Sequence, residues 1–181
     1  MLGKALTRGH TVEVEDVATA VLTYANGAVG TLYASTYEFP EVNLFQFVGD
    51  RGVLEVRDWK LRLGLSAPPA GEMLKNSDDP WDIPLDVWTD VETPTPAKAH
   101  RNITANFVDA ILDDVPLVVT GRDALGSLEL ANAVTVSSAL GREVKLPLDR
   151  KLFDDLLDEY VRTAKGKKGP KDADRVVIPR R

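Results

Sequence analysis

From Glu13 to Leu65 nearly everything in the chain reads as strand, and helical periodicity begins only after Pro96. That order restricts the fold more than any other feature. Parallel strands need a crossover helix between them, so strands first and helices second, with no alternation, point to an antiparallel sheet covered by a helical layer. The strand half opens on AVLTYANGAVGTLYAST, where apolar runs rich in Val, Thr and Tyr flank Asn26-Gly27. A type I′ turn needs positive φ at both central residues and Asn-Gly tolerates it best, so Glu15–Tyr24 and Ala28–Thr36 are predicted to pair as a hairpin.

Further strands follow at Val42–Val48 and, after the tight turn Gly49-Asp50-Arg51-Gly52, at Val53–Arg57. In WKLRLGL the period of two sets Trp59, Leu61, Leu63 and Leu65 on one face and Lys60 and Arg62 on the other. Ala67–Pro84 has no clear period and reads as a long excursion, after which Leu85–Glu92 returns as an edge strand. Ile103, Phe107, Ala110 and Ile111 fall at helical spacing on one stripe. Thr120-Gly-Arg-Asp123 matches a capping box, and the helix it opens runs to a stop at Gly141. The small residues Ala131, Ala133, Ser137, Ser138 and Ala139 predict that this helix lies close against a sheet. A short strand at Glu143–Leu146 ends at Pro147, and Leu152, Leu156, Leu157 and Tyr160 outline a further amphipathic helix. The expected fold is α+β: an open, mainly antiparallel sheet with helices packed on one face, the other face available for oligomerisation, and no Rossmann domain. Residues 1–149 are read as one domain and 150–181 as a C-terminal helix and tail.

The 181 residues suffice for one well-filled core, and a net charge of -6 disfavours nucleic acid, whose backbone demands a basic face. The cluster Lys165–Lys171 sits among Gly and Pro and reads as a solvated linker leading to a last apolar run, Val176–Pro179. No apolar run reaches the roughly 18 residues of a spanning helix, and MLGKALTRGH does not read as a signal peptide, so no membrane partner and a cytoplasmic location are expected. Without cysteine, disulfides, thiolate metal sites and thiol nucleophiles drop out, and two histidines make a histidine-rich metal centre a poor reading.

Searches for chemistry return little. There is no G-x-G-x-x-G after a strand, no Walker A sequence and no G-x-S-x-G elbow. The acidic pairs Asp78-Asp79, Asp113-Asp114 and Asp154-Asp155 read as solvated surface or helix caps. His100 opens a helix and His10 lies in a segment expected to fray. Tyr37, Glu38 and Glu41 are the candidate site: a polar and aromatic tip between two strands is a common place to meet a ligand.

Several phrases together resemble one family. EDVATAVLTYANGAVGTLYAS, FVGDRGVLEV and NITANFVDAILDDVPLVVTGRDALGSLELANAVTVSSALGREVKLPL are similar to the C-terminal domain of the Gfo/Idh/MocA oxidoreductases, the glucose-fructose oxidoreductase and inositol dehydrogenase group, from about Val14 to Leu148. Full-length members of that family carry a preceding Rossmann domain that binds NAD(P), with a lysine in E-K-P, and a D-x-G-x-H-x-x-D stretch supplying a catalytic histidine and aspartate. This chain contains none of these, and T-R-G-H-T-V-E-V lacks both aspartates, so no catalytic role passes to His10.

The resemblance implies the substrate-binding and oligomerisation domain of an NAD(P)-dependent oxidoreductase acting on a sugar, polyol or related carbohydrate, catalytically incomplete alone. It implies no cofactor bound by this chain by itself, NAD or NADP in the assembled enzyme, a Rossmann-domain partner, a homo-oligomer formed through the sheet face, and Tyr37, Glu38 and Glu41 lining the substrate pocket. The other reading is a stand-alone scaffold or regulatory module descended from that domain.

Overall fold

The computed structural model describes residues 1–83, 85–93 and 99–163. The chain divides into two compact units, Met1–Tyr37 with the chain from Thr120 onward, and Glu38–Val119. The architecture is α+β as expected, but the strands form two antiparallel sheets rather than one. Between them lies an irregular stretch around Phe39-Pro40, where proline has no N–H for a ladder.

In the first unit β1 (Leu2–Leu6), β2 (Val17–Thr23) and β3 (Val29–Ser35) lie in the order β1-β2-β3. β2 and β3 are the predicted hairpin, closing at Thr23 opposite Val29. Its turn is not type I′. Gly27 N–H donates to the Tyr24 carbonyl at 3.0 Å and Tyr24 N–H to the Ala28 carbonyl at 2.9 Å. Gly27 alone takes positive φ, 86°, while Asn26 stays negative. This is a three-residue loop whose glycine supplies the left-handed bulge. Asn26 contributes differently, by accepting the Ala28 N–H on Oδ1 at 3.1 Å.

The N-terminal segment does not fray. It forms β1, with Leu2 opposite Val21 and Leu6 opposite Val17. Helix α3 (Gly121–Leu140) explains why. Its N-terminus carries the predicted capping box, Thr120 with Asp123, and its C-terminus stops at Gly141 in the left-handed conformation, φ 62°. The small residues then let it sit directly on β1: a Cβ added to Gly3 would lie 3.0 Å from the Val134 Cα. Ser137 Oγ accepts the Gly3 N–H at 2.9 Å and donates to the Arg142 carbonyl at 2.7 Å. Ser138 Oγ accepts the Ala5 N–H at 2.9 Å and donates to the Ala5 carbonyl at 3.2 Å. The free edge of β1 is thus closed by hydroxyls of a helix, which satisfies groups that would otherwise invite another strand.

The strand expected at Glu143–Leu146 is not formed. Only Val144 pairs with Met1, through bonds of 2.8 and 2.9 Å, because the next outward groups of β1 already belong to Ser137 and Ser138. The core of this unit is small-grained, built on Ala20, Leu22, Ala133, Val134, Val136 and Val144. Helix α4 (Arg150–Thr163) adds Leu152 and Leu156 of the predicted stripe against it, together with Phe153, while Leu157 and Tyr160 stay exposed.

In the second unit β4 (Leu44–Gly49), β5 (Gly52–Arg57), β6 (Lys60–Ala67) and β7 (Leu85–Val91) form a sheet in that order. The β4–β5 turn is the predicted G-x-x-G. Gly52 has φ 141°, and a side chain there would overlap the Gly64 carbonyl. Trp59 is not in a strand: Asp58 and Trp59, at φ 49° and 67°, form the two-residue turn between β5 and β6, and both take the positive φ expected of Asn26-Gly27. The face assignment of Leu61, Leu63 and Leu65 against Arg62 holds, and β7 is the edge strand anticipated at Leu85–Glu92.

The excursion at Ala67–Pro84 contains a short helix, α1 (Ala70–Asn76). Tertiary bonds anchor its start, since Asp50 accepts the Gly71 N–H on Oδ1 at 2.6 Å and the Ala70 N–H on its carbonyl at 2.8 Å. Helix α2 (Ala99–Leu112) carries Ile103, Phe107 and Ile111 exposed. Lys165–Lys171 and Val176–Pro179 lie outside the described residues. Among the described residues no helix is long and apolar enough to cross a membrane.

Candidate functional site

The loop from Thr7 to Asp16, between β1 and β2, wraps around one carboxylate. Asp16 Oδ1 accepts the Arg8 N–H at 2.6 Å, and Oδ2 accepts the N–H groups of Gly9 and His10, each at 2.8 Å. The His10 ring adds a fourth contact, Nδ1 to Oδ2 at 3.2 Å. The Asp16 side chain is 2% exposed, whereas the His10 side chain is 47% exposed. Convergent N–H groups, led by that of His10, hold the Asp16 carboxyl well below the usual carboxylate range against the opposing effect of burial. The loop is tied elsewhere by Thr7 Oγ1 donating to the Val14 carbonyl at 2.7 Å and by Thr135 Oγ1 donating to Glu15 at 3.4 Å.

Tyr37 completes the cluster from the end of β3. Its ring lies over Gly9 so closely that a Cβ there would overlap it, and it meets the His10 ring edge-on, centroids 6.2 Å apart. Half of Tyr37 remains exposed. One predicted site residue therefore joins a histidine and an aspartate, a grouping that the sequence reading missed. Asp16 directly precedes β2 and follows Gly9-His10 by a few residues, the one local sign of a turn closed on a carboxylate.

Glu38 and Glu41 fall in the second unit, where Glu41 Oε1 accepts from Asn43 Nδ2 at 3.2 Å. His100 stands in the first turn of α2 with its carbonyl bonded to Thr104 Oγ1 at 3.0 Å. Across the second sheet Gln46, Glu55, Arg62 and Asp90 form a polar row in register. Glu55 is buried there, and the Gln46 amide at 2.7 Å is the main reason that its pKa is lowered.

The first unit also holds a cavity of about 1070 Å³ with a mostly apolar lining, bounded by the Thr7–Glu15 loop, the inner face of the sheet, α3 and α4. Among the described residues no three His, Asp or Glu side chains group to hold a metal ion. Nor do the starts of α3 and α4 suit a phosphate. Asp123 closes the N-terminus of α3, bonding Thr120 N–H at 2.8 Å, and Asp149 bonds the Lys151 N–H at 3.0 Å in α4. A diphosphate would meet carboxylates where a dinucleotide fold offers free N–H groups.

Residues 2–146 match the family model described as the C-terminal alpha/beta domain of the Gfo/Idh/MocA oxidoreductase family. The chain belongs to this family. No curated protein sequence matches it. Among solved structures the Gfo/Idh/MocA domain is similar in fold to the WlbA dehydrogenase of Bordetella pertussis in complex with NADH and UDP-GlcNAcA, at 21% identity, TM-score 0.55, over 82% of this chain and 40% of that one. The WlbA enzyme of Chromobacterium violaceum, with the same ligands, gives 23%, TM-score 0.57, 82% and 40%. UDP-N-acetylglucosamine 3-dehydrogenase GnnA of Acidithiobacillus ferrooxidans gives 19%, TM-score 0.51, 77% and 40%. The chain thus spans about 40% of the length of these solved chains.

Proposed function

We propose that the chain is the substrate-binding and assembly part of an NAD(P)-dependent oxidoreductase acting on a sugar, polyol or related carbohydrate, and that it works with a dinucleotide-binding domain. The observation that carries this reading is the family match from residue 2 to residue 146. The carboxylates at the starts of α3 and α4 support it, since neither start is left for a diphosphate. Hydride transfer needs a nicotinamide held against the substrate, and that group would supply the redox chemistry when bound by the partner. This chain's share is to hold the substrate. Within the first unit, Tyr37 offers an aromatic surface for it.

Assembly is assigned to the apolar face of the second sheet. There Phe45, Val56, Leu61 and Val91 share one cross-strand row and Phe47, Leu54 and Leu63 the next, with Phe47 66% exposed. A second copy of the chain would cover these rows.

The test joins the chain to a family dinucleotide-binding domain, fused or as a second chain, and follows reduction of NAD(P)⁺ over a panel of polyols, hexoses and nucleotide sugars. Turnover is expected only with both parts, and the chain alone should give no saturable NAD(P)H fluorescence change. Micromolar NAD(P)H binding by the chain alone would overturn the reading.

A further inference from the structure

We infer that His10 is a hydroxyl-binding residue of the substrate site, presenting the Nε2 of an Asp16-oriented imidazole beside the exposed half of the Tyr37 ring to a polyhydroxylated ring. The inference rests on the carbohydrate reading above and names a residue which that reading does not contain.

The loop does not need the imidazole in order to close. Three backbone N–H groups, those of Arg8, Gly9 and His10, already bind the Asp16 carboxylate at 2.6 to 2.8 Å. The ring contact at 3.2 Å is additional, and its effect is to fix the ring. An ionised carboxylate only accepts, so Nδ1 must carry the proton that it shares with Asp16. That leaves Nε2 as the ring's second polar atom, the one not bonded to Asp16. With the side chain 47% exposed, the ring is within reach of a ligand hydroxyl.

Tyr37 gives the second half of the site. One face rests on Gly9, where no side chain fits, and its edge-on contact with His10 at 6.2 Å holds the two rings at 77° to each other. The electron-rich face of an aromatic ring suits the C–H face of a sugar, while a ring nitrogen at right angles suits a hydroxyl on its rim. A buried carboxylate that orients a half-exposed histidine, next to an aromatic ring seated on glycine, is an arrangement that fixes a ligand's position.

The experiment uses the full chain and NMR. Long-range ¹⁵N spectra should show the proton on His10 Nδ1 that the Asp16 contact requires. Titration with D-glucose and myo-inositol, and with D-glucuronate as a charged probe, to roughly 50 mM, the range suited to weak sites, should shift His10 and Tyr37 resonances saturably. His10→Ala should weaken binding about fivefold, the weight of one hydrogen bond, while the Gly9 and Arg8 amide shifts stay put because their bonds to Asp16 persist. His10→Gln, whose carboxamide reaches the Nε2 position, should recover part of the affinity; His10→Asn, which imitates only Nδ1, should not. Binding that His10→Ala leaves unchanged overturns the inference and leaves the carbohydrate reading standing. Binding of glucuronate alone would make His10 a cation site and also overturns it. Absence of any binding overturns it as well, while the two-part turnover assay judges the carbohydrate reading independently.

Discussion

Replacing Ser137 by alanine removes one oxygen and leaves two groups without partners. Ser137 is completely buried. It is the acceptor for the buried Gly3 N–H at 2.9 Å and the donor to the Arg142 carbonyl at 2.7 Å. A buried polar group left unsatisfied costs about 1–3 kcal/mol. The Gly3 N–H faces the edge of β1 under α3, where water has little access, and so takes the upper part of that range. The Arg142 carbonyl lies at the helix end and recovers a water, which places it at the lower limit. The sum is a loss of about 3–4 kcal/mol, and Ser138→Ala, at a half-buried site, should cost about half as much. Urea unfolding followed by far-UV circular dichroism measures this in the right unit, because Trp59, Trp81 and Trp88 all lie in Glu38–Val119 and their fluorescence reports only the other one. Amide exchange at Gly3 and Ala5 should accelerate with each substitution. A loss under about 0.5 kcal/mol for Ser137→Ala, with m unchanged, would refute the view that helix hydroxyls hold the edge of β1.

Two other expectations follow from the same geometry. The depressed pKa of Asp16 means that the unfolded chain binds more protons than the folded one below about pH 4, so stability rises with pH there and is lost as pH falls toward the folded value. Asp16→Asn should flatten that dependence without abolishing it, since Glu55 and Asp123 are lowered too; urea midpoints measured between about pH 3 and 5 would contradict this if the two slopes coincided. Phe47→Lys places a charge on the apolar face proposed for assembly, and sedimentation at micromolar concentration should show a shift toward monomer; an unchanged oligomer, or a wild-type monomer, would remove that face from the proposal.

Much of the candidate site was out of reach of the sequence. Tyr37 stands out as an aromatic residue at a strand end, and local composition is enough to select it. His10 and Asp16 do not stand out, because what joins them is three backbone N–H vectors turning inward on one oxygen pair, a property of loop conformation and not of residue type. The same holds for the turns. Asn26-Gly27 marks a hairpin correctly but not its type, and Asp58-Trp59 takes positive φ although a tryptophan there is unusual.

What the sequence determined by itself was whatever depends on neighbours within a few positions: the alternation that makes β2, β3 and β6, the Thr120–Asp123 capping box, the glycine stop at 141 and the stripe of α4. Those signals are local because the energies behind them, φ preference, a cap bond and side-chain period, act over one turn or one pleat. Tertiary structure decided the rest. MLGKAL is a poor strand alone, with Gly3 and Ala5 at its centre, yet the same smallness lets α3 approach until Ser137 and Ser138 reach its backbone. Residues 143–146 look like a strand but pair only at Val144, because that edge of β1 was already taken. A hydrogen-bonding edge can be used once, and which of two distant segments uses it is settled only when the chain has packed.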